Sequence, residues 1–123
     1  MKRWLLSAAL VATTFVLSGC TANERLFFDR VTAPTRDVLD YDQLNRLRHC
    51  ESTDNYQAVS WTGLYRGGYQ FDMRTWNDVA SRHFPWLVGI DPVVAEPYWQ
   101  DAMARALFSE RGRQPWPVCG KRI

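Results

Sequence analysis

Apolar residues recur at helical spacing in three stretches of the chain, and polar residues mark where each stretch begins. The first predicted helix runs from about Tyr41 to Glu51. Asp40 is a good N-cap for it, and Gln43 follows three residues later as in a capping box. The second runs from about Met73 to His83 with Asp72 as its cap.

The third predicted helix begins near Glu96-Pro97, with proline at its first position, and Gly112 ends it after about Arg111. Between the first two helices, residues 61–71 are rich in aromatic residues and glycine, which favours turns and a short hairpin. The chain is therefore predicted to be α+β and mainly helical. With 123 residues it has room for one domain, predicted over residues 40–120.

The N-terminal segment has the features of an export signal. Lys2 and Arg3 precede an apolar stretch from Trp4 to Leu17, which is too short and too polar for a membrane span. It ends at Leu17-Ser18-Gly19-Cys20, which resembles the bacterial lipobox. Residues 1–19 are predicted to be a lipoprotein signal peptide and Cys20 the lipidated residue; a buried helix with a chance cysteine is the alternative.

Residues 20–39 are predicted to form a tether, because Thr32-Ala33-Pro34-Thr35 interrupts regular structure. Leu26, Phe27 and Phe28 are unusual for a free linker. They are expected either to pack on the domain or to lie at the membrane surface.

The charge balance argues against a nucleic-acid partner. Lys2 and Arg3 account for the net charge of +2, so the remaining 13 basic residues balance the 13 acidic ones. Aromatic residues make up 14% of the chain, which is compatible either with a carbohydrate site or with an aromatic core. Neither a metal nor an organic cofactor is implied.

Glu51 is the first candidate for chemistry. It shares a helix face with Leu44 and Leu47, so a carboxyl group continues an apolar stripe near the helix C-terminus. Burial and the helix dipole would both favour its protonated form, which a general acid requires. A solvated glutamate at a frayed helix end is the alternative interpretation.

Two cysteines remain beyond Cys20. A bond between Cys50 and Cys119 would close a loop of about 70 residues and contribute roughly 4 kcal/mol. Metal binding is the competing interpretation, but only His49 and His83 could assist. In the aromatic segment, Gln70 follows a paired-glycine turn and could hydrogen-bond sugar hydroxyl and acetamido groups, although an ordinary hairpin turn fits equally.

Taken together, these motifs resemble one family, the resuscitation-promoting factors, whose core is also called the transglycosylase-like domain. The resemblance covers about Tyr41 to Gly120. It is carried in order by Cys50-Glu51-Ser52, Asn55, Tyr65-Arg66-Gly67-Gly68-Tyr69-Gln70-Phe71-Asp72, Thr75-Trp76 and Trp116-Pro117-Val118-Cys119-Gly120.

The resemblance implies a small lysozyme-like domain with one disulfide, Cys50–Cys119, and a single catalytic glutamate, Glu51. It also implies cleavage of peptidoglycan glycan strands, as a lytic transglycosylase or a muramidase. The expected substrate-binding residues are Thr75, Gln70, Tyr65, Gly67, Gly68, Asn55, Trp61 and Arg111. The protein is expected to be an exported, lipid-anchored monomer at the outer face of the membrane, with a wall peptidase as a candidate partner.

The sequence also departs from the family pattern. Thr53-Asp54 and Tyr56 stand where the family has Gly-Gly and Trp, Arg111 replaces a polar residue that is often Gln, and the segment from Phe84 to Pro97 is longer than usual. These departures keep two alternatives open, a catalytically weak wall-binding module and a growth-signalling lipoprotein. Candidates for a second carboxylate are Asp54, Asp72 and Glu110, each with a more ordinary capping or solvated role available.

Overall fold

A computed structural model describes residues 21–123, so the predicted signal peptide and Cys20 lie outside the described residues. It contains four α-helices, which are α1 (Ala22–Thr32), α2 (Tyr41–Ser52), α3 (Met73–His83) and α4 (Pro97–Arg111). Three short 3₁₀ turns cover Ala33–Thr35, Pro85–Leu87 and Cys119–Arg122. The mainly helical α+β prediction is confirmed.

The helix boundaries follow the caps expected from the sequence. The Asp40 carboxylate accepts a hydrogen bond from the Gln43 backbone nitrogen at 2.7 Å, and the Gln43 side chain accepts one from the Asp40 nitrogen at 3.0 Å. Asp72 caps α3. Pro97 opens α4, and Gly112 ends it with a φ of 61°. These local signals confirm the predicted bounds of α3 and, within one residue at either end, those of α2 and α4.

The predicted hairpin is reduced to two isolated antiparallel bridges, Val59 with Arg66 and Arg66 with Phe71. Gly67, inside this turn, has a φ of 83°, which glycine adopts without strain. An added Cβ there would also lie 2.6 Å from the Gln100 side-chain oxygen. The turn is therefore packed directly against α4.

The core forms where α2, α3 and α4 present their apolar faces to one another and to the aromatic turn. Its largest fully buried side chains are Trp76, Tyr69, Phe84, Leu39, Leu44, Leu47, Met103 and Leu107. The Trp116 indole nitrogen donates to the Tyr69 carbonyl at 3.0 Å, which fixes the C-terminal segment to the turn. Cys50 and Cys119 form a disulfide that joins α2 to the last 3₁₀ turn, as predicted.

The tether prediction for residues 20–39 is wrong for the described part of that range. Thr21 and Glu24 form a capping box, and α1 follows it directly. Phe28 packs edge-on against Trp99, with ring centroids 5.0 Å apart, while Leu26 stays exposed. Burial of aromatic surface by Phe28 stabilises a helix whose own sequence is mostly polar. No helix in residues 21–123 is long and apolar enough to cross a membrane.

A buried arginine joins α2 to three other parts of the fold. Arg48 is only 8% exposed, and its Nη1 donates to the Tyr56 hydroxyl at 2.6 Å and to the Tyr69 hydroxyl at 3.2 Å. Both hydroxyls donate in turn to the Asp101 carboxylate, at 2.8 and 2.6 Å. Burial and the neighbouring Asp101 charge raise the pKa of both tyrosines, so they remain donors.

The same arginine stabilises the turn that leaves α2. Thr53 and Asp54 have φ values of 54° and 63°, a left-handed conformation that is strained for residues other than glycine, above all for a β-branched one. The Asp54 carboxylate lies 3.2 Å from Arg48 Nε and 3.1 Å from His49 Nδ1. These contacts offset part of the strain at Asp54, whereas the Thr53 hydroxyl only donates to the adjacent Ser52 carbonyl.

We expect Thr53→Gly to stabilise the protein by about 1 kcal/mol, because it removes left-handed strain without removing a contact to another segment. Asp54→Gly relieves the same kind of strain but also deletes the bonds to Arg48 and His49. Denaturant unfolding of the two variants checks this difference. A gain of equal size in both would contradict it.

We expect Arg48→Met to lower the free energy of unfolding by roughly 2–4 kcal/mol, since it leaves Asp101 without its cation in a partly buried site. Arg46, exposed on the same helix, provides the matched control, and Arg46→Met should cost less than about 1 kcal/mol. Equal losses in urea unfolding would show that the buried network contributes no more than a surface arginine does.

Candidate active site

Glu51 lies in the last turn of α2 and faces a cleft of about 290 Å³. The floor and walls come from three separate parts of the chain, the end of α2, the aromatic turn and the C-terminal segment. The residues that line the cleft with Glu51 are Tyr65, Gln70, Pro115, Trp116, Pro117, Val118 and Cys119. The disulfide is therefore part of the site, because it holds the C-terminal wall beside the helix that carries Glu51.

The Glu51 carboxylate is held without a compensating charge. Leu44 and Leu47, on the same helix face, are fully buried, and Glu51 itself is partly buried. Within residues 21–123 no hydrogen bond or ion pair engages its carboxylate, and burial raises its pKa. The negative end of the α2 dipole acts in the same direction. A protonated carboxylic acid in a cleft is the arrangement that general-acid catalysis uses.

Gln70 also lines the cleft and is fixed by its own turn. It has a φ of 54°, and its side-chain nitrogen donates to the Gly67 carbonyl at 3.0 Å and to the Ala58 carbonyl at 3.4 Å. Tyr65, next to it in the cleft, is 48% exposed. One side of the cleft is thus a rigid polar group and an accessible aromatic ring, which together suit a sugar ring and its substituents.

The paired glycines of the turn have a structural role in this fold. Gly67 and Gly68 are buried, and the Gly68 nitrogen donates to the Gln100 side chain at 2.8 Å. A Cβ on Gly68 would lie 3.1 Å from side-chain atoms of Arg48 and Tyr56. Close packing against α2 and α4 therefore accounts for both glycines. Their expected contact with substrate stays a prediction.

The remaining predicted substrate residues lie outside the Glu51 cleft. Thr75 and Arg111 line a second cleft of about 410 Å³, and Asn55 lines a third of about the same volume. The third is walled by Val93 to Pro97, part of the segment that is longer than usual for the family. Trp61 is 98% exposed on the loop before the turn. The structure thus groups Glu51, Gln70 and Tyr65, and separates the other residues from them.

Each candidate for a second carboxylate is engaged elsewhere. Asp54 pairs with Arg48, and Asp72 caps α3 while accepting the Thr75 hydroxyl at 2.8 Å. Glu110 lies 2.6 Å from Arg82 Nε, and this hydrogen bond lowers its pKa. Among the described residues that line the cleft, Glu51 is the one carboxylate. Residues 21–123 contain no group of three His, Cys, Asp or Glu side chains placed to hold a metal ion.

Sequence reasoning assigned no role in the site to the wall formed by Pro115, Trp116, Pro117 and Val118. Trp116 is buried, and its carbonyl accepts from the Gly120 nitrogen at 2.7 Å, so this short segment is tightly folded. Its signal in the sequence was the run from Trp116 to Gly120, which contains the second cysteine and carries part of the family resemblance. The disulfide and the hydrogen bond from Trp116 to Tyr69 place that run beside Glu51.

Comparison with known proteins places these features in a family. Residues 38–119 match the family described as transglycosylase-like domain. The chain is 37% identical to the resuscitation-promoting factor RpfC of Mycobacterium tuberculosis over 71 residues, which is 58% of this chain and 45% of RpfC. It is 29% identical to RpfD of the same organism over 115 residues, 91% of this chain and 67% of RpfD.

A third relative is the probable transglycosylase SceD of Staphylococcus aureus, 35% identical over 75 residues that cover 61% of this chain and 31% of SceD. The chain thus spans less than half of RpfC and about a third of SceD. No solved structure matches. Because the matched region contains α2, the aromatic turn, α3, α4 and both cysteines of the disulfide, the chain belongs to the transglycosylase-like domain family.

Proposed function

We propose that this domain cleaves the glycan strands of peptidoglycan and that Glu51 is the catalytic acid. The observation that carries the proposal is a carboxyl group with a raised pKa in a cleft, with no described group neutralising it. Membership of the transglycosylase-like family supports the substrate class. The names of the relatives, resuscitation-promoting factors and a probable transglycosylase, agree with it.

The first chemical step requires a proton on Glu51, and the raised pKa favours that protonated form. Glu51 donates this proton to the oxygen of the glycosidic bond as the bond to the anomeric carbon breaks. The leaving sugar departs as a neutral alcohol, and Glu51 becomes a carboxylate. Gln70 and Tyr65, which line the same cleft, would contact the bound sugar.

The second step follows from the single carboxylate of the cleft. As a carboxylate, Glu51 can accept the proton of the 6-hydroxyl of the same sugar while that oxygen bonds to the anomeric carbon. The product is a 1,6-anhydro-muramyl end, and Glu51 regains its proton. A muramidase would use water in place of the 6-hydroxyl. We favour the intramolecular route because no second carboxylate of the described residues lines the cleft to activate a water.

We further propose that the protein acts outside the cytoplasm, held by a lipid on Cys20 and working as a monomer on the wall. In such a protein α1 would begin at Ala22, two residues after the lipidated residue. The domain would then lie close to the membrane surface. A wall peptidase that removes cross-links would be a compatible partner for glycan cleavage.

We expect Glu51→Gln to lower the rate of strand cleavage by about 10²–10⁴-fold, because the amide cannot donate the proton. Mass spectrometry of products released from purified peptidoglycan provides the measurement. Anhydro-muramyl fragments that disappear in the variant support the transglycosylase proposal, while reducing ends indicate a muramidase. Full activity in the variant would refute the role of Glu51, and binding without product from either protein would indicate a wall-binding module.

The raised pKa of Glu51 also predicts a pH-dependent difference in stability. Above the ordinary glutamate pKa of about 4.3, the unfolded chain loses this proton more readily than the folded protein, so folding is penalised as pH rises through the raised pKa. We expect Glu51→Gln to melt at a higher temperature than the parent protein above that range and at a similar temperature below it. A melting difference that does not change with pH would contradict the assigned burial.

A further inference from the structure

A second cleft, of about 410 Å³, opens beside the first turn of α3 and carries a surplus of positive charge. It is lined by Arg74, Thr75, Asp78 and Arg111. Two of its four lining residues are arginines, whose planar guanidinium groups can bind a carboxylate through two parallel hydrogen bonds. The position of this cleft on the chain and its charge balance both bear on what it can bind.

The charges around the cleft do not cancel. Arg111 Nη2 lies 2.5 Å from the Asp78 carboxylate, which Arg82 also contacts at 2.7 Å. Arg82 also lies 2.6 Å from the Glu110 carboxylate, which His83 contacts at 3.1 Å. Among the residues that line the cleft itself, two arginines therefore stand beside one carboxylate, Asp78.

Arg74 is the arginine left over. It is exposed, and within residues 21–123 no hydrogen bond or ion pair engages its guanidinium. It also stands in the first turn of α3, which has no acidic residue, where the helix dipole disfavours a cation. The helix dipole therefore does not favour a cation at this position, whereas an anion in the cleft would contact it directly.

The basic cleft is close to the Glu51 cleft along the chain. Gln70 lines the Glu51 cleft and Thr75 lines the basic one. They are five residues apart, so their α-carbons lie within about 19 Å of each other. A polymer held at Glu51 that continues past Gln70 can reach Arg74 and Arg111 with a neighbouring unit or a side branch.

On the basis of the proposed function, we propose that this cleft is a specificity subsite for the carboxylates of the peptide stems that the glycan strand carries. Arg74 supplies the uncompensated charge. Arg111 supplies a second guanidinium group, which its ion pair with Asp78 holds in place. The subsite favours strands whose stems have free carboxylates over strands whose stems are neutral. Phosphate groups on wall polymers share this chemistry, and the experiment separates the two sources.

The test compares two peptidoglycan substrates that differ only in stem charge. Both are first freed of phosphate with hydrofluoric acid, and in one the stem carboxylates are converted to amides by carbodiimide coupling with ammonia. The full chain, purified in a mild detergent, is assayed for kcat/KM on each substrate. We expect a higher value on the free-carboxylate substrate and a ratio that falls as salt is added.

Arg74→Gln and Arg111→Gln should each lower that ratio by about two- to five-fold, the range expected for one partly exposed ion pair. Arg30→Gln, which removes the same charge from the exposed surface of α1, is the matched control and should keep the parent ratio. Since Arg111 also contacts Asp78, thermal melting confirms that each variant is folded; Arg74→Gln removes no described contact.

A ratio near one in the parent protein, or a ratio that neither arginine variant changes, would overturn the proposal. A preference for untreated wall that vanishes once phosphate is removed would overturn the assignment to stem carboxylates. The subsite is tested separately from catalysis by sedimenting Glu51→Gln with the two insoluble substrates. Stronger retention on the free-carboxylate material, lost with Arg74→Gln, supports the subsite even if no strand is cleaved; equal retention refutes it.

Discussion

The buried Arg48–Asp101 pair is the interaction on which the rest of this structure depends. With the Tyr56 and Tyr69 hydroxyls between them, these two side chains connect α2, the turn after it, the aromatic turn and α4. A buried charge requires hydrogen-bonded partners, and here each partner comes from a different segment. Helix α2 and the aromatic turn, which carry Glu51 and Gln70, are therefore fixed relative to each other through one guanidinium group.

Two charged residues of α2, Arg48 and Glu51, respond to burial in opposite ways. Arg48 is neutralised by a network, whereas Glu51, three residues later, has no described partner, and burial raises its pKa. Burial is what raises the pKa of Glu51, with no charged neighbour contributing to the shift. A neutralised cation and an uncompensated carboxyl group thus lie within one turn of the same helix.

Two departures from the family pattern are explained by their contacts with the same residue, Arg48. Asp54 and Tyr56 replace a glycine and a tryptophan, and both bind Arg48. Thr53 and Asp54 keep the left-handed backbone that Gly-Gly would adopt freely. In this chain the turn that follows Glu51 is therefore stabilised by hydrogen bonds between side chains.

The sequence by itself determined the helices, their caps, the cysteine pair and the candidate acid, because these depend on local spacing and on composition. Helix α1 was not predicted, although Thr21 and Glu24 form its capping box, because its stability comes from packing Phe28 on Trp99. Only the tertiary structure decided which residues share the cleft. In the folded chain Trp116 lies beside Glu51, Thr75 and Arg111 line a separate cleft, and Arg48 is buried. These contacts join distant segments, so they follow from chain packing, which the periodicity of the sequence does not encode.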